Sequence, residues 1–177
     1  AGYGIFTQNG SVNSSGSIIV AGTGEKGSYG IYAEAEAGSG NKITNAADIT
    51  MTFAPEEEGG DDEEEQPTLP ANYGIYGWNV DIENSGSVSI TQQNEKSEDV
   101  FGIVSEESSI NNSGTVVING NGSAVYAGGG SLTNSGSITL NGDGYGLIAE
   151  DGDLTNSGTV TLNGYGYAVL NDGGNLT

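Results

Sequence analysis

Apolar and polar residues alternate in short runs along this chain, and one run keeps returning. Leu154-Thr155-Asn156-Ser157-Gly158-Thr159-Val160-Thr161-Leu162 recurs at residues 132–140, 110–118, 82–90, 43–51 and 12–20, each copy opening on an aliphatic residue and closing on an alternating tail. A period of two marks strands; helical apolar positions would return every three or four residues. A second run stands upstream of each copy: Tyr3-Gly4-Ile5, Tyr29-Gly30-Ile31, Tyr73-Gly74-Ile75, Phe101-Gly102-Ile103, Ser123-Ala124-Val125, Tyr145-Gly146-Leu147 and Tyr167-Ala168-Val169. Measured at Asn156, Asn134, Asn112, Asn84, Asn45 and the equivalent Ser14, successive copies lie 22, 22, 28, 39 and 31 residues apart, so the ground period is 22. A unit this short cannot bury its own apolar face and has to stack on its neighbours. The expected architecture is all-β: a parallel β-helix, or solenoid, of about seven coils. Three short strands per coil are separated by turn sequences such as Glu150–Asp153, Asn156–Gly158 and Asn163-Gly164.

Strand parity sorts the columns into inside and outside. Leu147, Leu154, Val160 and Leu162, aliphatic in every copy, are expected to fill the interior, and Thr159 and Thr161 to face solvent. From the aliphatic residue of the upstream run to the Asn column the spacing is 9 in every complete copy but one, where Ile31 to Asn45 is 14. Most insertions therefore fall at one corner, after the alternating tail. The column Asn45, Asn84, Asn112, Asn134 and Asn156 is read as structural: a sharp bend where Asn adopts a left-handed backbone or bonds its own backbone, with Gly158 as the next permissive position. Its side chains are also expected to form an axial ladder. Two aromatic-rich columns, one headed by Tyr145 and the other by Ile148, have opposite parity, so a straight strand cannot point both inward. One is expected to form a surface aromatic stripe, Phe6, Tyr32, Tyr76 and Tyr126, serving as a stiffening ladder or as a contact surface for a partner or sugar.

Charge narrows the partners. The net charge is −21, with three lysines, no Arg and no His, which argues against nucleic acid and anionic membrane surfaces. No run approaches the roughly 18 apolar residues of a membrane helix, and no direct membrane insertion is expected. No signal peptide is visible at the start. Because the chain opens and closes inside a repeat, it reads as an excerpt of a longer array. The absence of Cys suits a chain that crosses membranes unfolded. Residues 54–70, holding eight carboxylates and all three prolines, read as a solvated insertion loop; Asp61 and Asp62 there are candidate cation ligands. A second acidic feature is the corner before the Leu154 column, where Glu34, Glu36, Asp81, Glu106, Glu107, Asp172 and the candidates Glu150, Asp151 and Asp153 would line one edge. Low-affinity Ca2+ bridging of neighbouring coils is one reading of this edge, and simple solubility and edge repulsion are the other; no other cofactor is expected. Without His, Cys or Arg, triads, thiol nucleophiles and most metal sites are removed, and no catalytic residue is assigned.

With the coil assigned, the block Leu-Thr-Asn-Ser-Gly-Ser-Ile-Thr-Leu at 132–140 and the Tyr-Gly-Ile block resemble the passenger repeats of bacterial autotransporter adhesins, the type V secreted proteins of Gram-negative envelopes. The resemblance spans nearly the whole chain outside 54–70. It implies a right-handed parallel β-helix displayed at the cell surface and ending in an outer-membrane barrel, which has no counterpart in these residues. It further implies adhesion to a host-cell or bacterial surface protein or glycan, self-association or biofilm formation. Rival readings are a self-assembling extracellular fibre, a carbohydrate-active β-helix and an ice-binding solenoid. The last draws on the paired hydroxyls of Thr159-x-Thr161 and Ser137-x-Thr139, but Ile19, Asp48 and Val117 interrupt those columns.

Overall fold

A computed structural model of the chain describes residues 2–22, 27–54, 71–93 and 100–177. The first coil comprises strands β1 (Gly2–Gln8), β2 (Val12–Ser14) and β3 (Ser17–Gly22), and the second β4 (Ser28–Glu34), β5 (Lys42–Asn45) and β6 (Asp48–Phe53). The third holds β7 (Asn72–Trp78), β8 (Asp81–Asn84) and β9 (Ser87–Gln92), and the fourth β10 (Val100–Glu106), β11 (Ile110–Asn112) and β12 (Thr115–Asn119). Strands β13 (Gly122–Gly128), β14 (Leu132–Asn134) and β15 (Ser137–Asn141) make the fifth coil, and β16 (Gly144–Glu150), β17 (Leu154–Asn156) and β18 (Thr159–Leu162) the sixth. Strand β19 (Gly166–Asp172) opens a seventh, and a single parallel bridge, Leu154↔Leu176, continues it.

Every third strand pairs in parallel, giving one seven-stranded sheet, β1-β4-β7-β10-β13-β16-β19, and two six-stranded sheets, β2-β5-β8-β11-β14-β17 and β3-β6-β9-β12-β15-β18. We call these the first, second and third faces. Like slots lie on like slots: Ile31 pairs with Ile75, Ile43 with Ile82, Ile49 with Val88. This is a parallel β-helix, as the 22-residue period predicts. Strand β6, Asp-Ile-Thr-Met-Thr-Phe, alternates exposed and buried without a break. The interior holds Ile31, Ile75, Ile103, Val125 and Leu147 from the first face, Ile43, Ile82, Ile110, Leu132 and Leu154 from the second, and Ile49, Val88, Val116 and Ile138 from the third. Each fully buried aliphatic is worth about 1.5–3 kcal/mol before conformational entropy is subtracted. Residues 23–26, 55–70 and 94–99 all fall between the third strand of one coil and the first of the next, so Asp61 and Asp62 lie outside the described residues.

Of the two possibilities for the Asn column, the left-handed backbone is not the one taken: its members end strands β5, β8, β11, β14 and β17, and the non-glycine residues with a left-handed backbone stand one corner earlier, at Asn9, Asn79, Glu107 and Asp151, with φ of 57°, 53°, 61° and 57°. Gly129 and Gly173 hold the same slot at 83° and 109°. Gly158 is required by close approach and not by φ: a Cβ there would stand 2.1 Å from the Gly136 carbonyl oxygen of the coil before. The strands of the first face are also not straight. In β4 both Gly30 and Ile31 are buried, and the ladder passes from Tyr29↔Tyr73 to Ile31↔Ile75, skipping the glycines. The parity slips by one there, because a Cβ on Gly30 would meet the Gly74 carbonyl oxygen at 2.5 Å and Ile49 Cγ2 at 2.6 Å.

One interior slot carries an orphan. Ser105 shares a column with Ala33, Gly77, Ala127 and Ala149, is fully buried, and its hydroxyl has no hydrogen-bond partner among the described residues. An unsatisfied buried hydroxyl costs about 1–3 kcal/mol, and the column already accepts alanine. Ser105→Ala is therefore expected to stabilise the protein by about 1 kcal/mol, read as a higher urea midpoint; an unchanged or lower midpoint would show the hydroxyl to be satisfied.

Candidate functional site

The asparagines form the expected ladder. Ser14 Oγ donates to Asn45 Oδ1 at 2.5 Å, Asn45 Nδ2 to Asn84 Oδ1 at 2.8 Å, and then Asn84 to Asn112, Asn112 to Asn134 and Asn134 to Asn156, each at 2.7 Å. Each amide spends its second N–H on the carbonyl two residues on, Ala47, Gly86, Gly114, Gly136 and Gly158, at 3.1–3.4 Å. The bend is thus made by a buried side chain bonding its own backbone. Its amides are consumed internally, which makes the column a scaffold. Sequence reading missed a second, exposed ladder at the next corner: Asn119 Nδ2 donates to Thr91 Oγ1 at 3.1 Å, Asn141 to Asn119 at 2.8 Å and Asn163 to Asn141 at 2.8 Å. Its signal was the recurring Asn-Gly at 119, 141 and 163, read only as a turn.

The slip at the Gly30 column changes the aromatic picture. One column was expected outside; both are. Within a coil Tyr29 meets Tyr32 edge-on, centroids 5.1 Å apart at 85°, and Tyr73 meets Tyr76 at 5.2 Å and 72°. Across coils Tyr3, Tyr29, Tyr73 and Phe101 stack at 5.1 Å, and Phe6, Tyr32 and Tyr76 at 5.2–5.4 Å. Of the four residues foreseen as a stripe, Phe6, Tyr32 and Tyr76 therefore belong to a two-column herringbone, and Tyr126 stands apart from it. Val104, next in the column, separates Tyr76 from Tyr126. Val104 and Ile148 are buried, yet neither belongs to the interior cluster. They sit in the outer layer.

The acidic candidates are distributed among other tasks. Glu150 accepts the Tyr126 hydroxyl at 2.8 Å, and Asp153 accepts the backbone N–H of Asn175 at 2.7 Å and its side-chain amide at 3.0 Å. Asp151 holds a left-handed corner. The three do not converge: among the described residues no group of three or more His, Cys, Asp or Glu is placed to hold a metal ion. Glu34 accepts Tyr32 Oη at 2.6 Å and Gln8 Nε2 at 2.5 Å. These bonds and burial act on the phenols. Burial, then the bond to Glu150, pushes the Tyr126 hydroxyl from 10.0 up to about 12. Tyr32 is raised by burial and then by Glu34, and Tyr76 by burial and then by the nearby Glu106 charge.

The two systems meet in one groove of ≈ 540 Å³, lined by Gln8, Asn9, Tyr32, Glu34, Ala35, Glu36, Tyr76 and Trp78. One wall, Ala35 and Glu36, opens the stretch where the chain runs 14 residues, and not 9, to the Asn column. The floor is the herringbone. Trp78, 45% exposed, was not singled out by sequence reading, because it occupies its column once and carries no periodic signal. A smaller groove of ≈ 170 Å³ on the second face contains Lys42, which pairs with Glu83 at 2.8 Å. No family model, curated protein or solved structure matches the chain significantly. The chain is a parallel β-helix with an aromatic and acidic outer face.

Two measurements follow from this chemistry. Asn112→Leu strands the Nδ2 of Asn84 and the Oδ1 of Asn134 in mid-stack, so a loss of about 2–4 kcal/mol is expected by urea titration; a loss within 0.5 kcal/mol, the size of a neutral surface change, would remove the ladder from the stabilising interactions. Tyr126 titrates near 10.0 when unfolded and about 12 when folded, so its contribution is complete below pH 10 and disappears as pH climbs to 12. The urea midpoint should fall over that window, and Tyr126→Phe should remove part of the fall; an unaltered pH profile in the variant would count against the bond to Glu150.

Proposed function

We propose that this chain is an extracellular attachment segment: a β-helical stalk of a bacterial surface protein that adheres to a host-cell or bacterial surface protein or glycan, or to copies of itself. The observation that carries this reading is where the aromatic residues stand. Outward slots on the third face are filled largely by small hydroxylic residues such as Thr50, Ser89, Thr139 and Thr161, which suffice to keep a solenoid wetted. The first face instead spends Tyr29, Tyr32, Tyr73, Tyr76 and Trp78 on its outside. Aromatic rings with one polar end are the residues that carry contact energy at protein surfaces. A rigid stack that repeats them along an axis presents a continuous strip to a partner. The lack of His, Cys and Arg favours binding over catalysis, and the acidic, Cys-free composition is compatible with export and surface display.

Beads coated with the chain should attach to cultured host cells or to bacteria, or clump with one another. Coating with Tyr29→Thr/Tyr73→Thr is expected to cut attachment or clumping by about tenfold, with folding checked by circular dichroism. Beads that neither attach nor clump would sink the attachment reading.

A further inference from the structure

We propose that Asn141-Gly142 is a self-modifying site, at which the chain converts its own side-chain amide to aspartate or isoaspartate through a cyclic imide. The exposed ladder writes Asn-Gly at 119–120, 141–142 and 163–164, and a further copy stands beside it at 121–122. Stacking imposes the pairing. The ladder needs the amide, and the turn needs glycine, since a Cβ on Gly142 or Gly164 would lie 2.2 or 2.1 Å from the glycine carbonyl oxygen of the coil before. No side chain then hinders the nitrogen that follows the asparagine.

Ring closure is favoured by a backbone nitrogen free to attack and by a donor on the side-chain oxygen, where negative charge develops. The copies differ in both. Gly120 N–H is held by the Asn141 carbonyl at 3.1 Å and Gly122 N–H by the Asp143 carbonyl at 2.9 Å, so Asn119 and Asn121 lack a free nitrogen. The corresponding bond from Gly142 to the Asn163 carbonyl is not made: β15 runs on to Asn141 but β18 stops at Leu162, and Gly142 N–H has no partner among the described residues. Asn141 Oδ1 meanwhile accepts Asn163 Nδ2–H at 2.8 Å. Gly164 N–H is also free, but among the described residues no donor reaches Asn163 Oδ1. Of the ladder copies and their neighbour at 121, Asn141 therefore meets both conditions, and it is exposed to water.

The step balances without oxidant, reductant or cofactor. Gly142 nitrogen gives up its proton and bonds to Asn141 Cγ, the Cγ–Nδ2 bond breaks, and the amide nitrogen leaves with a proton as ammonia. One water then opens the ring at either carbonyl, to Asp or to isoaspartate. Both products break the ladder. A carboxylate at 141 has no N–H for Asn119 Oδ1, its present partner at 2.8 Å, and isoaspartate adds a carbon to the main chain at a corner with no spare room. This goes beyond the attachment reading and does not rest on it.

The whole chain, kept folded in mildly alkaline buffer made with heavy-oxygen water, is digested at intervals and its peptides read by mass spectrometry, fragment spectra separating Asn119 from Asn121. Asn141 should take up label roughly fivefold faster than either, the factor that one net hydrogen bond represents, and the lead should vanish when the chain is unfolded in urea. Asn163→Ala, which repeats the Ala21 already found in this column, should slow labelling at Asn141 by about the same factor. An aged Asn141→Thr chain, which repeats Thr91, should keep its urea midpoint while the unsubstituted chain loses part of its own. Labelling of Asn119 or Asn121 as fast as Asn141 overturns the proposal, as does an Asn141 that stays unlabelled while the unfolded chain reacts. Faster labelling in Asn163→Ala, the result of a ladder that merely restrains the side chain, or equal drift of the midpoint in Asn141→Thr overturns it too. The comparison within the unsubstituted chain decides even if a variant folds poorly.

Discussion

Parallel hydrogen bonding between successive coils, at a rise of about 4.8 Å, is the constraint from which the rest of this structure follows. A slot cannot choose its neighbour: whatever stands at a position in one coil meets the same position in the next. Apolar slots then make continuous columns such as Ile31, Ile75, Ile103, Val125 and Leu147, in which each side chain is covered from both sides along the axis. Polar slots obey the same rule at higher stakes. A buried primary amide has two donors and two acceptor lone pairs, and only a ladder with one amide per rise, each donating upward and to its own turn, satisfies it. The Asn45 to Asn156 column achieves this with side-chain bonds of 2.7–2.8 Å. The ladder and the sheet therefore enforce the same registration.

Close approach at the corners is the second consequence. Where the chain turns, carbonyls of one coil point at the α-carbons of the next, and a Cβ on Gly114 or Gly136 would lie 2.0 Å from the oxygen below. Glycine is there because there is no room. Conformation governs a different corner, that of Asn9, Asn79, Glu107 and Asp151, where four non-glycine residues accept φ of 53–61°. The two demands occur on either side of the second face, and both read as "turn" in the sequence.

That overlap explains what was legible and what was not. The period of 22 and the alternation at Val160-Thr161-Leu162 depend on burial, which hydrophobicity reports directly, so architecture and interior could be read from the residues. The left-handed corner could not, because Asn, Glu and Asp there look like ordinary polar turn residues, whereas Asn-Ser-Gly looks like a stronger turn signal than it is. The double aromatic column escaped for a similar reason. Parity arguments assume a straight strand, and the one-residue slip at Gly30 is a packing event against Gly74 and Ile49 on other strands. The groove was least legible of all: Trp78 stands in its column once and carries no periodic signal, and Glu36, one acid among several at its corner, gives no sign in the sequence of a wall beside the aromatic columns.

The same stacking rule limits how an acidic chain can carry its charge. Two carboxylates one rise apart in water repel by ~0.9 kcal/mol before screening, and two rises halve this and reach roughly the Debye length at physiological salt. The column Gln8, Glu34, Trp78, Glu106, Gly128, Glu150 and Asp172 respects that limit over most of its length, placing a neutral residue between Glu34 and Glu106 and another between Glu106 and Glu150. Of the two interposed residues, Gly128 leaves no side chain and Trp78 fills its gap with an aromatic surface. The spacing that relieves repulsion along the axis thereby brings two carboxylates and one indole into the same short stretch of surface. Their charges are far enough apart to coexist, with the indole standing between them. Electrostatic tolerance and the exposure of the indole here have one geometric origin.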